Sequence, residues 1–241
     1  GTNEDLNSYT HLLTTPENFK EIKDLYNKKD IFKKREDFML APNGKSTNLS
    51  EDSWIKVRSE EFKSWFGDWE NDPENASKVV DENGEPLVVY HGTNNKFTEF
   101  DKNKKGVLRV MFKEYEVKRN GFFFTTTEEA SKNFGDNTIK SFLNIRKIAD
   151  FKSTKIDTEL INAGLNKEDL ETEFGNVWEL FDDDKGEKVV SKLKTLNYDG
   201  VEFMENGAEE AMDAVLSFMV FESNQIQILG SEKNLPDELS C

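Results

Sequence analysis

Val79-Val80-Asp81-Glu82-Asn83-Gly84-Glu85-Pro86-Leu87-Val88-Val89-Tyr90-His91-Gly92-Thr93 is the stretch on which the reading of the chain turns. Strand-forming residues flank a polar cluster, and Asn83-Gly84 between them is a strong hairpin signal, because Asn and Gly accept the left-handed backbone of a tight turn. The run Leu87 to Tyr90 then ends in a histidine followed by a glycine. Taken alone, a His at a strand end is an ordinary hydrogen-bonded residue. The glycine beside it adds a main chain that a flat ligand can approach closely.

Upstream, the pattern is helical. Thr15-Pro16-Glu17 offers an N-cap, a proline at the first helical position and an early acid, followed by Phe19, Ile22, Leu25 and Tyr26 at helical spacing. Pro42-Asn43-Gly44-Lys45-Ser46 breaks the pattern. A second helical stretch begins near Ser53 and runs to Glu70, with Ser59-Glu60-Glu61 as a cap and Gly67 as a stop. Three of the four tryptophans, Trp54, Trp65 and Trp69, fall there and read as core rather than as a partner surface.

Downstream of Lys78 the pattern changes to short strands: Gly121 to Thr125, Thr138 to Ile145, Val201 to Phe203 and Val215 to Glu222. Helices are predicted at Thr127 to Phe134, at Asp157 to Phe174 in two pieces, and at Asp184 to Leu196. The sum is an α+β domain over residues 76–241 behind a helical extension over residues 1–75, which supports the domain and carries no convergent polar groups of its own.

Composition narrows the classes. With 35% hydrophobic residues and 19 Phe, the chain has the makings of an aromatic-rich core. No apolar run approaches the roughly 20 residues of a membrane span, and the acidic opening Gly1 to Leu6 is unlike a signal peptide, so a cytoplasmic protein is expected. Gly1, where Met would start a natural chain, predicts a longer natural protein. Cys241 is the single cysteine and His11 and His91 are the histidines, which excludes an internal disulfide and disfavours any metal site. The formal net charge of -16 repels phosphate backbones and disfavours nucleic acid as a partner. The chain carries no Gly-x-Ser-x-Gly elbow, which sets a conventional hydrolase aside.

A second constellation, Gly121-Phe122-Phe123-Phe124-Thr125 to Phe134-Gly135, is an aromatic strand running into a capped helix, by itself an ordinary buried unit. Paired with Tyr90-His91-Gly92-Thr93, it resembles the ADP-ribosyltransferases. In their poly(ADP-ribose) polymerase and diphtheria-toxin branch, a His-Gly-Ser/Thr strand is followed by Gly-x-Tyr-Phe and then by Ser-x-x-Tyr. Gly121, Phe123, Phe124, Ser131 and Phe134 match without a gap, with Phe in place of each Tyr. The wording of Val79 to Thr93 is similar still more closely to ADP-ribosyltransferase-like domains in large polyvalent proteins of phages and conjugative elements. Phe142 to Ile145 and Tyr198 to Gly200 match a later strand and turn of those domains, so the resemblance covers most of residues 78–230.

The resemblance implies a split β-sandwich of two antiparallel sheets with peripheral helices, holding NAD at its nicotinamide end. His91 would bond a ribose hydroxyl, the Gly92 main chain would clamp the carboxamide with Thr93 beside it, and Ser131 would add a hydroxyl. Phe134 would stack on the nicotinamide, with Phe123 and Phe124 lining the wall; stacking needs only the aromatic face, so Tyr-to-Phe costs a hydroxyl and keeps the platform. The family's third motif places a Glu at the start of a late strand. Aligning Phe218 to Phe221 and Gln225 with that strand puts Ser217 at the Glu position, and a serine cannot replace a carboxylate electrostatically. Glu222 is the nearest carboxylate in sequence, at an odd offset that turns it to the other face; Glu202, Glu205, Glu209 and Glu210 precede the strand. The catalytic candidates are therefore His91, Ser217 and Glu222. The implied activity is transfer of single ADP-ribose units from NAD to a protein acceptor, in the cytoplasm or after delivery into a host cell. The alternative is a catalytically silent NAD- or ADP-ribose-binding or structural module of a larger phage or mobile-element protein.

Overall fold

The computed structural model describes residues 39–103, 106–110, 113–173, 175–205 and 214–230. The helix expected over Thr15 to Tyr26, and Glu209 and Glu210, lie outside the described residues. Two compact units divide between Leu87 and Val88.

In the N-terminal unit, α1 (Glu51–Val57) and α2 (Glu60–Phe66) are each opened by a serine, Ser50 Oγ accepting from Ser53 N and Ser59 Oγ from Phe62 N. Gly67 ends α2 at φ 99°, and a Cβ there would fall 2.4 Å from Ala76 Cα. Trp54 and Trp69 are core, as expected, and their indole N–H groups donate to the Leu40 and Val57 carbonyls. Trp65 is half-buried and meets Phe62 edge-on. The Arg58 guanidinium lies 4.0 Å from the Trp54 ring and 5.0 Å from the Trp69 ring, and it pairs with buried Glu85 and with Glu70. Glu85 is delivered by the Asn83-Gly84 turn, in which Asp81 Oδ1 accepts from Asn83 N and Glu85 N. The arms of that turn meet at a single bridge, Val80↔Pro86, because proline has no N–H with which to extend a ladder.

The second unit is built on β1 (Val89–Thr93), β4 (Phe122–Thr125), β5 (Asn137–Leu143), β6 (Ile148–Asp150), β7 (Gly200–Glu205), β8 (Val215–Val220) and β9 (Ile226–Ile228), with β2 (Gly106–Val110) and β3 (Lys113–Val117) forming a separate two-stranded ribbon. Its helices are α3 (Glu128–Ser131), α4 (Lys155–Asn162) and α5 (Asp183–Thr195). The α+β class holds, but the two antiparallel sheets of the expectation are one mixed seven-stranded sheet, in the order β6-β7-β8-β4-β1-β5-β9. β6 and β7 run parallel, since the long crossover carrying α4 and α5 joins them and a hairpin does not. A seam nonetheless runs through the sheet. β1 pairs with β5 along its whole length, from Val89↔Ser141 to Thr93↔Asn137, but meets β4 only at Tyr90↔Thr125.

Over β6, β7 and the end of β8, one face of the sheet is covered by α4, α5 and the 3-10 turn Val177–Phe181: Val201, Phe203, Met219 and Phe221 join Ile156, Leu160, Phe181, Val189 and Leu193 in a single core. Among the described residues, no helix is long and apolar enough to cross a membrane.

Candidate active site

Beyond Tyr90↔Thr125, β1 and β4 separate, and His91 and Gly92 stand at the opening. A side chain takes over where the main-chain ladder stops: His91 Nδ1 lies 2.8 Å from the Phe123 carbonyl oxygen. A carbonyl only accepts, so Nδ1 carries the proton. Burial among Phe97, Phe100 and Phe124 holds the imidazole below its ordinary pKa of 6.5, with the Phe123 carbonyl opposing. The ring is therefore neutral at pH 7 and its Nε2 is a lone-pair acceptor.

Gly92 is indispensable, but a protein segment and not a ligand makes the close approach. A Cβ at Gly92 would stand 1.8 Å from the Ser131 carbonyl oxygen and 2.9 Å from Phe134 Cβ. Gly135 faces Thr93 in the same way, a Cβ there falling 2.2 Å from the Thr93 carbonyl carbon. These two glycines let α3 and the 3-10 turn Lys132–Phe134 lie main chain against main chain on the end of β1. The Phe134 Cβ is thereby held beside Gly92, and the side chain remains 50% exposed. Ser131 is fully buried; its hydroxyl donates to the Glu128 carbonyl at 2.7 Å and receives the Thr138 hydroxyl at 2.9 Å. Thr93 Oγ1 accepts from Asn95 N, closing the turn that follows β1.

Strand alternation sorts the remaining candidates. The pairs Tyr90↔Thr125, Thr125↔Ser217 and Phe203↔Ser217 put Tyr90, Thr125, Ser217 and Phe203 in one row on one face, with Gly92, Phe123 and Glu205 on that face in the adjoining rows. His91 and Phe124 project to the other. The expectation that Phe123 and Phe124 line one wall is corrected accordingly. Phe124 is buried against His91 and Phe100, whereas Phe123 packs on Phe181 and Phe203 with the Arg119 guanidinium 5.6 Å from its ring.

Ser217 is buried and donates from Oγ to Glu205 Oε2 at 2.9 Å. Burial raises the Glu205 carboxyl above its ordinary range, the Ser217 bond and the Arg119 charge opposing. Arg119 in turn pairs with Asp182 at 2.9 Å and rests 5.0 Å from the Trp178 ring. Burial lifts Asp182 to about 6, with Arg119 opposing and Asp183 and Glu179 adding. Glu222 is not brought to this cluster. It sits past the other end of β8, paired with Lys102 and, at 2.6 Å, with Lys194, and it caps the 3-10 turn Ser223–Gln225. There it borders a separate cleft of about 260 Å³ with Arg146, Tyr198 and Gln225. Glu202 lies on the face opposite Ser217 and pairs with Lys152. Sequence reasoning did not find Arg119 or Asp182, and it held Glu205 as one of four acids. The β7–β8 register is what singles Glu205 out.

Residues 81–234 match the family described as ADP-ribosyltransferase in polyvalent proteins. The chain belongs to that family. The matched span takes in both groups of residues, His91, Gly92 and Phe134 at the seam and Glu205 with Ser217 on β7 and β8. An ADP-ribosyltransferase is a transferase by class, and the family implies NAD as the donor. Among curated proteins none matches this chain. A solved structure described as the crystal structure of an anti-CRISPR protein is similar at 11% identity over 59% of this chain and 95% of its own, with a TM-score of 0.35, a likeness too distant to bear on fold or activity.

Proposed function

We propose that the chain is an NAD-dependent mono-ADP-ribosyltransferase that breaks the bond between nicotinamide and ribose and passes the ADP-ribose to a protein side chain. The observation that carries this reading is the half-exposed Phe134, its Cβ held against Gly92 at the seam, where the neutral imidazole of His91 offers an acceptor nitrogen. A flat, electron-poor ring stacks on the Phe134 face, its carboxamide borders the Gly92 main chain, and Nε2 of His91 accepts from a ribose hydroxyl. Holding the leaving ring and the sugar separately is what bond cleavage between them requires, since charge develops on the ribose as the ring departs. The acidic surface, with a net charge of -16, favours a protein acceptor over nucleic acid, and the cytoplasm of a host cell is where such acceptors would be met. Ser217 in place of a carboxylate on β8 favours single transfers over polymer growth.

A second reading, a silent NAD- or ADP-ribose-binding module, draws on the Ser131 hydroxyl, whose proton is committed to the Glu128 carbonyl. Incubation with labelled NAD and host lysate, following both nicotinamide release and label on protein, separates the two. His91→Ala should lower NAD affinity at least tenfold by calorimetry, the equivalent of losing a hydrogen bond of about 1.4 kcal/mol. Saturable NAD binding with neither release nor labelling would put the silent module in place of the transferase. A folded chain that binds neither NAD nor ADP-ribose would remove both.

A further inference from the structure

We infer that Glu205, reaching across from β7, supplies the anion that faces the ribose carbon as nicotinamide leaves, doing from a neighbouring strand what a carboxylate on β8 would do. This rests on the transferase reading above. Phe203 and Ser217 are directly opposed, and Glu205 follows Phe203 by two positions, so its side chain emerges on the Ser217 face. There its Oε2 accepts from Ser217 Oγ at 2.9 Å. A glutamate side chain at position 217 would carry its carboxylate roughly 2.5 Å beyond the place of that Oγ, the reach of two further bonds. Both routes bring a carboxylate within about 3 Å of the place of that Oγ, and the serine hydroxyl orients the one that arrives.

The surroundings suit the task. Phe123, which walls this face, lies on the adjacent strand and one same-face step, about 7 Å, along from Ser217. The Arg119 charge acts on the carboxylate, and it is offset by Asp182 while the guanidinium rests against the Phe123 and Trp178 rings. A fixed, half-buried anion beside a carbon that becomes positive stabilises the transition state more than the ground state. In the step itself the bond between the ribose carbon and the nicotinamide nitrogen breaks. Both electrons go to the ring, cancelling its pyridinium charge. The acceptor nucleophile then bonds to the sugar and releases its proton to solvent. Glu205 stays ionised throughout.

The test is nicotinamide release from NAD by the whole chain, with water as acceptor. Glu205→Gln keeps the size and the acceptor for Ser217 but loses the charge; release should fall about a hundredfold, while NAD affinity changes by less than about threefold. Adding Ser217→Glu to that variant returns a carboxylate from β8 and should restore release at least tenfold. The wild-type rate should also fall on acidification as Glu205 protonates, and this limb should vanish in Glu205→Gln. Release at the wild-type rate by Glu205→Gln would overturn the assignment and leave the transferase reading standing. Loss of NAD binding and melting temperature together in that variant, or no recovery in the double variant, would show a structural role and equally overturn it. A wild-type chain that binds NAD and releases no nicotinamide would sink the transferase reading itself.

Discussion

At Gly92 a methyl group has nowhere to go: the Ser131 carbonyl oxygen occupies the space 1.8 Å from where it would stand, and both neighbours are main chain or fixed by it. Gly92→Ala should therefore displace the segment from Glu128 to Phe134, at a cost of about 3 kcal/mol, and carry the Phe134 platform away from β1. A denaturant midpoint and an NAD titration check the two halves of that expectation. Unchanged stability would mean that α3 can shift without loss. His91 illustrates the same double use of one residue. Its Nδ1–H bridges the seam where the ladder ends, and only Nε2 is left to meet a ligand.

At the scale of elements, strands and helices with strong periodicity appear close to where the sequence puts them. The predicted strand Val215 to Glu222 is β8, and the predicted helix Asp184 to Leu196 is α5. Short elements escaped: β6 and β9 have three residues each, too few to show alternation, and the turn Val177–Phe181 winds as 3-10 helix. The start of α5 carries a feature of pH dependence. Asp182, in its N-cap position, has a folded pKa of about 6 against an ordinary 3.8, so the folded state holds more protons between those values. By linkage, stability is lost as pH rises from about 4 to about 6 and stays lower above. Asp182→Asn should flatten the melting temperature over that window, leaving the contribution of Glu205, whose shift has the same sign. A profile identical to wild type would show that Arg119 keeps Asp182 ionised.

Across the whole molecule, a buried charge holds the N-terminal unit together. Arg58 donates to the Trp54 and Leu40 carbonyls and to Glu85, while its guanidinium faces two indoles. Arg58→Ala would strand the fully buried Glu85 without its countercharge, and a loss of about 3–5 kcal/mol is expected in urea unfolding. Arg58→Lys should recover little of it, because an ammonium cannot span the same acceptors or lie flat on an indole. If Lys restored the wild-type midpoint, charge alone would be the requirement.

From the sequence come the α+β class and the family, with Gly92 and Phe134 as candidates that the fold brings side by side, because hairpin chemistry, alternation and motif spacing are local and survive without knowledge of the fold. The tertiary structure decided which acid meets Ser217, which face Phe123 takes, and that Gly92 yields its space to Ser131 and not to a ligand. Those depend on strand pairing between distant segments. Residues 205 and 217 become partners only when β7 and β8 come into register, and no local pattern in either strand encodes which of several acids will be opposite a given serine.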